Sequence, residues 1–286
     1  MSRALRLLTM PGPRHALPLM LFLIGGFVAP LLAVIAFSFM PARTFGLWHA
    51  PGLGNYADIF ASTSYLSFLW SLGLAAATVI ILAFVCYPVA YGLNRVFGRW
   101  SMLITLLFTI PLFVSENVRL YGWVLFFIKN GLLLGTLKTL FGFELDSVLF
   151  TRGIILMGMV YVYLPFMLFP MSLGVAMVPN DTREAAYDLG ASRLQVFREI
   201  ELPLSMPGIV IGFLLTFVLA VGAIAESKVL GGQQVIPISH DIEIAFTYSQ
   251  NWPLGAALSV LLMLVVGTLV LAVLRRFDLD AILGRR

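Results

Sequence analysis

Long apolar runs, all but one of them uncharged, follow one another along this chain and are separated by short polar segments. About 20 residues of α-helix are enough to cross the hydrocarbon core of a bilayer, so each run is long enough to span it. The runs cover residues 16–42, about 68–93, 100–128, 153–178, about 207–225 and 252–274. The pattern predicts an all-α, polytopic membrane protein with six transmembrane helices in a single domain, 1–286.

The segments between the runs contain the Gly, Pro and charged residues that are typical of loops. We expect loops over 43–58, 129–151 and 226–251, and an interfacial lead-in over 58–67 before the second span. The first run exceeds the roughly 7–15 apolar residues of a signal peptide, and no small-x-small cleavage site follows it. It is therefore predicted to be a spanning helix.

Composition agrees with this interpretation. Hydrophobic residues make up 60% of the chain and charged residues 11%, whereas soluble domains contain roughly 25% charged residues. The net charge of +4 comes from basic residues in short segments between apolar runs, which is typical of membrane topology and gives no indication of nucleic-acid binding.

The basic residues also predict an orientation. If the N-terminus is inside the cell, the inner segments hold twelve arginines and the outer segments five basic residues. The inner arginines are Arg3, Arg6, Arg14, Arg95, Arg99, Arg183, Arg193, Arg198, Arg275, Arg276, Arg285 and Arg286. Because cytoplasmic loops are enriched in Lys and Arg, both termini are predicted to be cytoplasmic.

The sequence contains none of the motifs that would indicate catalysis. Cys86 is the one cysteine and falls inside an apolar run, and the three histidines lack metal-ligand spacing. The chain has no phosphate-binding GxxxxGK[ST] loop and no nucleophile elbow. We therefore expect no enzyme activity, metal or cofactor in this chain, and an energy source on another chain or in an ion gradient.

One polar, charged island interrupts the apolar pattern at 181–203, which we call the elbow. Asp181 followed by Glu184 fits a capping box, in which each partner satisfies a backbone N–H of the first helical turn. This spacing predicts a short helix that starts near Thr182.

The second half of the elbow predicts another short helix. Gly190 favours the left-handed conformation at a helix end, and Ser192 with Gln195 repeats the capping signature. The residue before a proline is disfavoured in helical geometry, so Leu202-Pro203 is expected to end this helix.

The elbow resembles the "EAA" loop of ABC importer permeases. The resemblance rests on Glu184, Ala185, Ala186, Gly190, Ile200, Leu202 and Pro203 at the family's spacing. It implies a type I ABC importer permease fold, with a cytoplasmic loop whose first helix sits in a groove of an ATPase subunit. The chemistry agrees, because the two alanines permit close approach while Glu184, Asp188 and Arg183 offer charge at the rim.

The resemblance also implies an assembly in a bacterial inner membrane. It comprises a second related permease, two ATPase subunits that bind ATP and Mg, and an extracytoplasmic solute-binding protein. An ion-coupled secondary transporter is the alternative, but that class predicts inverted repeats and acids near mid-membrane. Here the acids lie near the ends of the runs and no convincing repeat is present. A membrane anchor without transport activity would have no use for the elbow.

A second group of motifs resembles the spermidine/putrescine branch of these permeases. Its residues are Pro111, Leu112, Ser115, Val118, Arg119, Tyr121, Trp123, Leu230, Gly231, Gly232, Asn251, Trp252, Pro253, Gly255, Ala257 and Ser259. The branch also contains relatives for opines and phosphonates. Polyamine relatives tend to carry an acid and a proline where this chain has Ala223 and Ser227, and its acid is Glu226. The class of solute therefore stays open.

Charged and aromatic residues near the ends of two runs are candidates for the solute pathway. Glu116 and Arg119 are spaced i to i+3 on the third run, so they either face a pore or neutralise each other. Tyr121 and Trp123 either stack on a solute or anchor the helix at the membrane interface. Glu226, at the end of the fifth run, is either a solute contact or part of a solvated helix end.

Overall fold

The computed structural model describes residues 18–142 and 146–276, and these residues contain helices and no strand. Short 3₁₀ and π turns join or extend several of the helices. In chain order the helices are α1 Pro18–Ser38, α2 Gly54–Ala61, α3 Ser64–Arg95, α4 Ser101–Thr109, α5 Glu116–Phe127, α6 Leu132–Phe141, α7 Arg152–Ala176, α8 Asn180–Asp188, α9 Arg193–Val196, α10 Leu202–Val221, α11 Ala225–Val229, α12 Ile238–Thr247 and α13 Trp252–Arg276.

Six helical stretches are long and apolar enough to cross a membrane, which confirms the predicted all-α, six-helix fold. They are Pro18–Ser38, Ser64–Arg95, Glu116–Phe141, Arg152–Ala176, Arg193–Val221 and Trp252–Arg276. The orientation and the single-domain assignment stay predictions. Of the arginines used for the orientation, Arg3, Arg6, Arg14, Arg285 and Arg286 lie outside the described residues.

The predicted third span, 100–128, is wrong as one continuous helix. Helix α4 passes into a 3₁₀ turn that contains Pro111, and Val114 and Ser115 are extended before α5 begins. Proline lacks the N–H that an α-helix needs, which explains the break at this point. Glu116 consequently occupies the first turn of a new helix, where the helix dipole favours a negative charge.

The three predicted loops also contain helices. Segment 43–58 contains the start of α2, 129–151 contains α6, and 226–251 contains most of α11 and all of α12. These helices have 5–10 residues, which is too short for the apolar period that identifies a membrane span. The predicted lead-in, 58–67, is divided between the end of α2 and the start of α3.

The helices group into two compact units. The first comprises residues 18–65 with 241–265. In this unit the buried Asn55 side chain donates hydrogen bonds to the carbonyls of Ser38 (3.0 Å) and Met40 (2.7 Å), at the C-terminal end of α1. The ring of Trp252 contacts Phe37, Phe45 and Phe246, so the Asn251-Trp252 motif serves packing here.

The second unit comprises 66–240 with 266–276 and is built around α7. Helix α7 packs most extensively on α10, because glycines on both helices allow their backbones to touch. A Cβ atom at Gly174 would lie 2.7 Å from the Ser205 carbonyl oxygen and 2.8 Å from the Cα of Gly208. On α3, the Asn94 amide donates to the Ser172 hydroxyl (2.9 Å), which joins α3 to α7.

The glycine contact leads to a first prediction. We expect Gly174→Ala to destabilise the folded protein by about 1–3 kcal/mol, because the added methyl forces α7 and α10 apart. The matched control is Gly73→Ala on α3, where no atom lies within 4 Å of the new Cβ, so stability should be unchanged or slightly higher. Thermal unfolding in detergent measures both, and equal midpoints for the two variants would contradict the contact.

Candidate functional site

The first half of the elbow is helix α8, which begins at Asn180. The predicted capping box between Asp181 and Glu184 is wrong, because Pro179 occupies the N-cap position and no side chain caps the helix. Proline favours the start of a helix and moves it upstream of the predicted Thr182. Asp181 instead lies in the first turn, where the helix dipole favours its negative charge.

The turn in the middle of the elbow follows the sequence prediction. Gly190 has φ +83°, the left-handed conformation that favours glycine. Ser192 then forms a complete capping box: its hydroxyl accepts from the Gln195 N–H (3.3 Å), and the Gln195 side chain accepts from the Ser192 N–H (2.8 Å). The bend is therefore well defined: the Gly190 N–H bonds the end of α8, and the capping box at Ser192 begins α9.

The predicted helix end at Leu202-Pro203 is wrong. Helix α9 passes through a π turn, Phe197–Glu201, and continues directly into α10. Pro203 lies in the first turn of α10, where its missing N–H is tolerated. The second half of the elbow and the fifth span therefore form one helical rod, Arg193–Val221.

Much of the elbow surface is exposed. Among the residues predicted to contact an ATPase, Glu184, Ala185, Asp188, Gly190 and Pro203 are exposed, and Ala186, Ile200 and Leu202 are half-buried. Two leucines on either side of the bend were not among the predicted contact residues: Leu189 is 89% exposed and Leu194 is 64% exposed. Large apolar side chains within a polar island were the available signal. These two leucines add apolar area to an otherwise polar surface.

Arg183 does not lie at the rim of this surface, so that prediction is wrong. Its Nε lies 2.5 Å from Oε1 of Glu201, which is buried at the π turn. Burial by itself lowers the pKa of Arg183, but the Glu201 carboxylate outweighs it, and the pKa is raised above its usual value. The guanidinium also donates to the Tyr91 hydroxyl (3.4 Å).

This ion pair lines a cleft of about 880 Å³ between α3 and the elbow. The lining residues are Tyr87, Pro88, Tyr91, Val96, Arg183, Tyr187, Arg193, Phe197 and Glu201. The cleft leaves open space beside the ion pair.

A second polar group lies where α5, α7 and α11 meet. Glu226 on α11 is completely buried, so the predicted alternative of a solvated helix end is wrong. Gly158 on α7 creates the room: a Cβ there would lie 2.5 Å from Leu230 and 3.6 Å from both Glu226 and Leu120. The sequence could not indicate this burial, because it depends on a glycine about 70 residues away along the chain.

The surroundings of Glu226 disfavour its charged form. The pKa of Glu226 is raised to about 7, mainly by burial and further by the charge of Glu116, while a backbone hydrogen bond, Tyr163 and Arg119 limit the rise. Neither carboxylate oxygen of Glu226 has a well-formed hydrogen bond within the described part of the chain. We call Glu116, Arg119, Tyr163 and Glu226 the acidic cluster; with both acids ionised it carries a net charge of −1.

The structure brings together only part of the predicted solute pathway. Glu116, Arg119 and Glu226 interact with one another, and the Arg119 guanidinium also lies 5.6 Å from the centre of the Tyr161 ring. Trp123 packs within an aromatic group, stacked on Phe127 at 5.5 Å. Tyr121 is 59% exposed. Sequence analysis missed Tyr163, whose only signal is a polar atom in an apolar run.

The Leu230-Gly231-Gly232 motif holds α11 in place. The Leu230 carbonyl accepts a hydrogen bond from the Phe150 N–H (2.9 Å). A Cβ at Gly231 would lie 2.6 Å from Ile155, and Gly232 has φ +53° against the Phe150 ring. The two glycines let the chain turn closely beneath the acidic cluster.

The sequence matches a known transport family and its members. The profile for "Binding-protein-dependent transport system inner membrane component" matches residues 80–280. The chain is 31% identical over 245 residues to the spermidine/putrescine transport system permease protein PotB of Haemophilus influenzae, covering 84% of this chain and 85% of that protein. It is 32% identical over 225 residues to PotB of Escherichia coli, covering 77% and 80%.

Solved structures agree on the fold. A chain of a bacterial ABC transporter involved in the import of the acidic polysaccharide alginate superposes with a TM-score of 0.74 at 17% identity, covering 96% of this chain and 98% of that chain. The same kind of transporter in complex with an alginate pentasaccharide-bound periplasmic protein gives 0.70 at 18% identity, covering 91% of each chain. The chain therefore belongs to the binding-protein-dependent inner-membrane transport components and is a permease subunit of an ABC importer.

Proposed function

We propose that the elbow is the surface through which a separate ATPase drives this permease. The observation that carries the proposal is the continuity of the elbow with a membrane span, since α9, the π turn and α10 form one rod. A partner that moves the second half of the elbow moves α10 directly. The exposed acids Glu184 and Asp188 and the leucines Leu189 and Leu194 supply charge and apolar area for that partner.

The proposed assembly contains two permease subunits, this chain and a related one, with two ATPase subunits that bind ATP and Mg. Solute arrives from an extracytoplasmic binding protein, in keeping with the binding-protein-dependent family. The excess of basic residues on the elbow side supports a cytoplasmic elbow and cytoplasmic termini. In this proposal the chain itself hydrolyses no ATP.

We further propose that the solute is a polyamine-like cation. The curated relatives named above are spermidine/putrescine permeases. The acidic cluster supports the same class, because the negative charges of Glu116 and Glu226 attract an ammonium group. An opine or phosphonate would bring an anionic group to this cluster and be repelled.

The elbow proposal predicts the effect of two substitutions. Glu184→Lys reverses a charge on the docking surface, and Gly190→Val forces a β-branched residue into the left-handed conformation. We expect each to reduce solute uptake at least tenfold and to reduce ATPase co-purification in mild detergent, with the membrane helices still folded.

Two matched variants serve as controls for this prediction. Asp58→Lys reverses an exposed acid on α2, outside the elbow, and should leave uptake unchanged. Gly190→Asn should retain most of the uptake, because asparagine tolerates the left-handed region. Normal uptake in Glu184→Lys and Gly190→Val would refute the coupling role.

The cation proposal predicts a pH dependence. With the pKa of Glu226 at about 7, lowering the pH from 8 to 6 protonates the carboxylate and removes its charge. We therefore expect the KM for spermidine uptake to rise several-fold as the pH falls through 7. Glu226→Gln should show the high KM at every pH, whereas Asp146→Asn, an exposed loop residue, should behave like the wild type.

The solute class itself is tested by ATP hydrolysis of the assembled complex in lipid. The binding protein is preloaded in turn with polyamines, opines, phosphonates or amino acids. Stimulation by putrescine or spermidine alone supports the proposal. Stimulation by another class would overturn the polyamine assignment and leave the ABC assignment unaffected.

Glu226 also predicts a stability change that does not depend on the solute. Its pKa rises from 4.5 to about 7 on folding, so the folded state binds more protons between these values and stability falls as the pH rises through this window. Glu226→Gln removes the buried charge. It should raise the free energy of unfolding at pH 8.5 by an amount on the order of 3 kcal/mol and have little effect at pH 4.5. An equal effect at both pH values would contradict the pKa shift.

A further inference from the structure

Two arginines fasten the elbow to the membrane helices around it. Arg95, at the end of α3, donates hydrogen bonds to the carbonyls of Val178 (2.6 Å) and Val175 (3.2 Å). These carbonyls lie at and just beyond the C-terminal end of α7, where regular helical hydrogen bonding ends. Arg95 also donates to the side chain of Asn180, the first residue of α8. The start of the elbow is thereby fixed to α3 and α7.

Arg183 continues this connection one turn further along α8. Its guanidinium donates to the same Asn180 oxygen (3.4 Å) and forms the ion pair with Glu201 (2.5 Å). Glu201 is only 6% exposed and lies in the π turn at the head of α10. A chain of contacts therefore runs from α3 through α8 to the fifth span, and we call the Arg183–Glu201 pair the elbow clamp.

We propose that Arg183 and Glu201 are positioning residues for transport, which transmit the movement of α8 to α10. The proposal rests on the coupling role of the elbow given above. Helix α8 and the rod that begins at Arg193 are separate segments joined by a bend at Gly190. A movement of α8 reaches the rod more fully when a second contact, beyond the bend itself, fixes the angle between the two segments. The clamp is that contact.

Three features of the clamp fit a mechanical role. First, a buried ion pair adds little to stability compared with apolar packing, but it fixes geometry, and losing one partner leaves an uncompensated charge. Second, Glu201 belongs to a π turn, a feature that occurs frequently at functional sites. Third, the pair borders the 880 Å³ cleft, so there is open space on one side of the contact.

The test uses the complete complex in proteoliposomes with a spermidine-loaded binding protein. Two quantities are measured: the ATPase that co-purifies, and the solute imported per ATP hydrolysed. A purely structural role lowers the amount of complex but leaves the import per ATP unchanged. We expect Arg183→Gln and Glu201→Gln to retain the ATPase but lose at least tenfold in import per ATP.

Charge reversal and a matched control complete the design. The double variant Arg183→Glu with Glu201→Arg should recover import per ATP to within about threefold of wild type, because it restores the pair. Glu199→Gln, an exposed neighbour in the same π turn, should behave like the wild type. Wild-type import per ATP in the single variants overturns the proposal, as does a double variant that is no better than the singles.

Conservative variants keep the test decisive if the neutral ones fail to assemble. Arg183→Lys and Glu201→Asp keep both charges and lengthen the contact, so import per ATP should fall two- to fivefold in assembled complex. An unchanged ratio overturns the clamp. Failure of the elbow proposal is distinguishable, since Glu184→Lys would then leave ATPase binding intact, whereas failure of the clamp shows only in the import per ATP.

Discussion

The cost of a charge removed from water decides where the polar residues of this protein lie. Of the described charged groups, Glu201 and Glu226 are buried most deeply. Glu201 pairs with Arg183 on α8, and Glu226 lies within the electrostatic influence of Arg119 on α5. Each of these interactions requires separate segments of the chain to come together. The charges therefore specify which helices meet at the elbow and at the acidic cluster, while apolar packing and glycine contacts supply the close approach between helices.

Helix α7 links the two polar sites. Gly158 lies against Glu226 and Tyr163 belongs to the acidic cluster, whereas Val175 lies at the end held by Arg95. The 17 residues from Gly158 to Val175 correspond to about 25 Å of helix, close to the thickness of the hydrocarbon core. A movement at the elbow can therefore reach the cluster through rigid helices without an extended network of side chains.

The sequence predicts the features that depend on neighbouring residues. The apolar runs, the capping box at Ser192 and the left-handed Gly190 are of this kind, and the structure confirms them. The wrong predictions concern side chains whose position depends on a distant residue, and helix ends that depend on a proline. The inward turn of Arg183 depends on Glu201, and the burial of Glu226 depends on Gly158. A proline such as Pro203 is compatible both with the end of one helix and with the first turn of the next, and the structure shows the second case.

Alternating access requires that some contacts differ between two states, because a partner shifts an equilibrium only by its differential affinity. The backbone contact of Gly174 with Gly208 is unsuited to such a change, since it is tightly packed over several atoms. The π turn at Phe197–Glu201 and the extended residues Val114 and Ser115 are better suited, because regular helical hydrogen bonding is already interrupted there. One lies beside the elbow clamp and the other directly precedes Glu116. A change of geometry at either point would alter one polar site while the α7–α10 core stays intact.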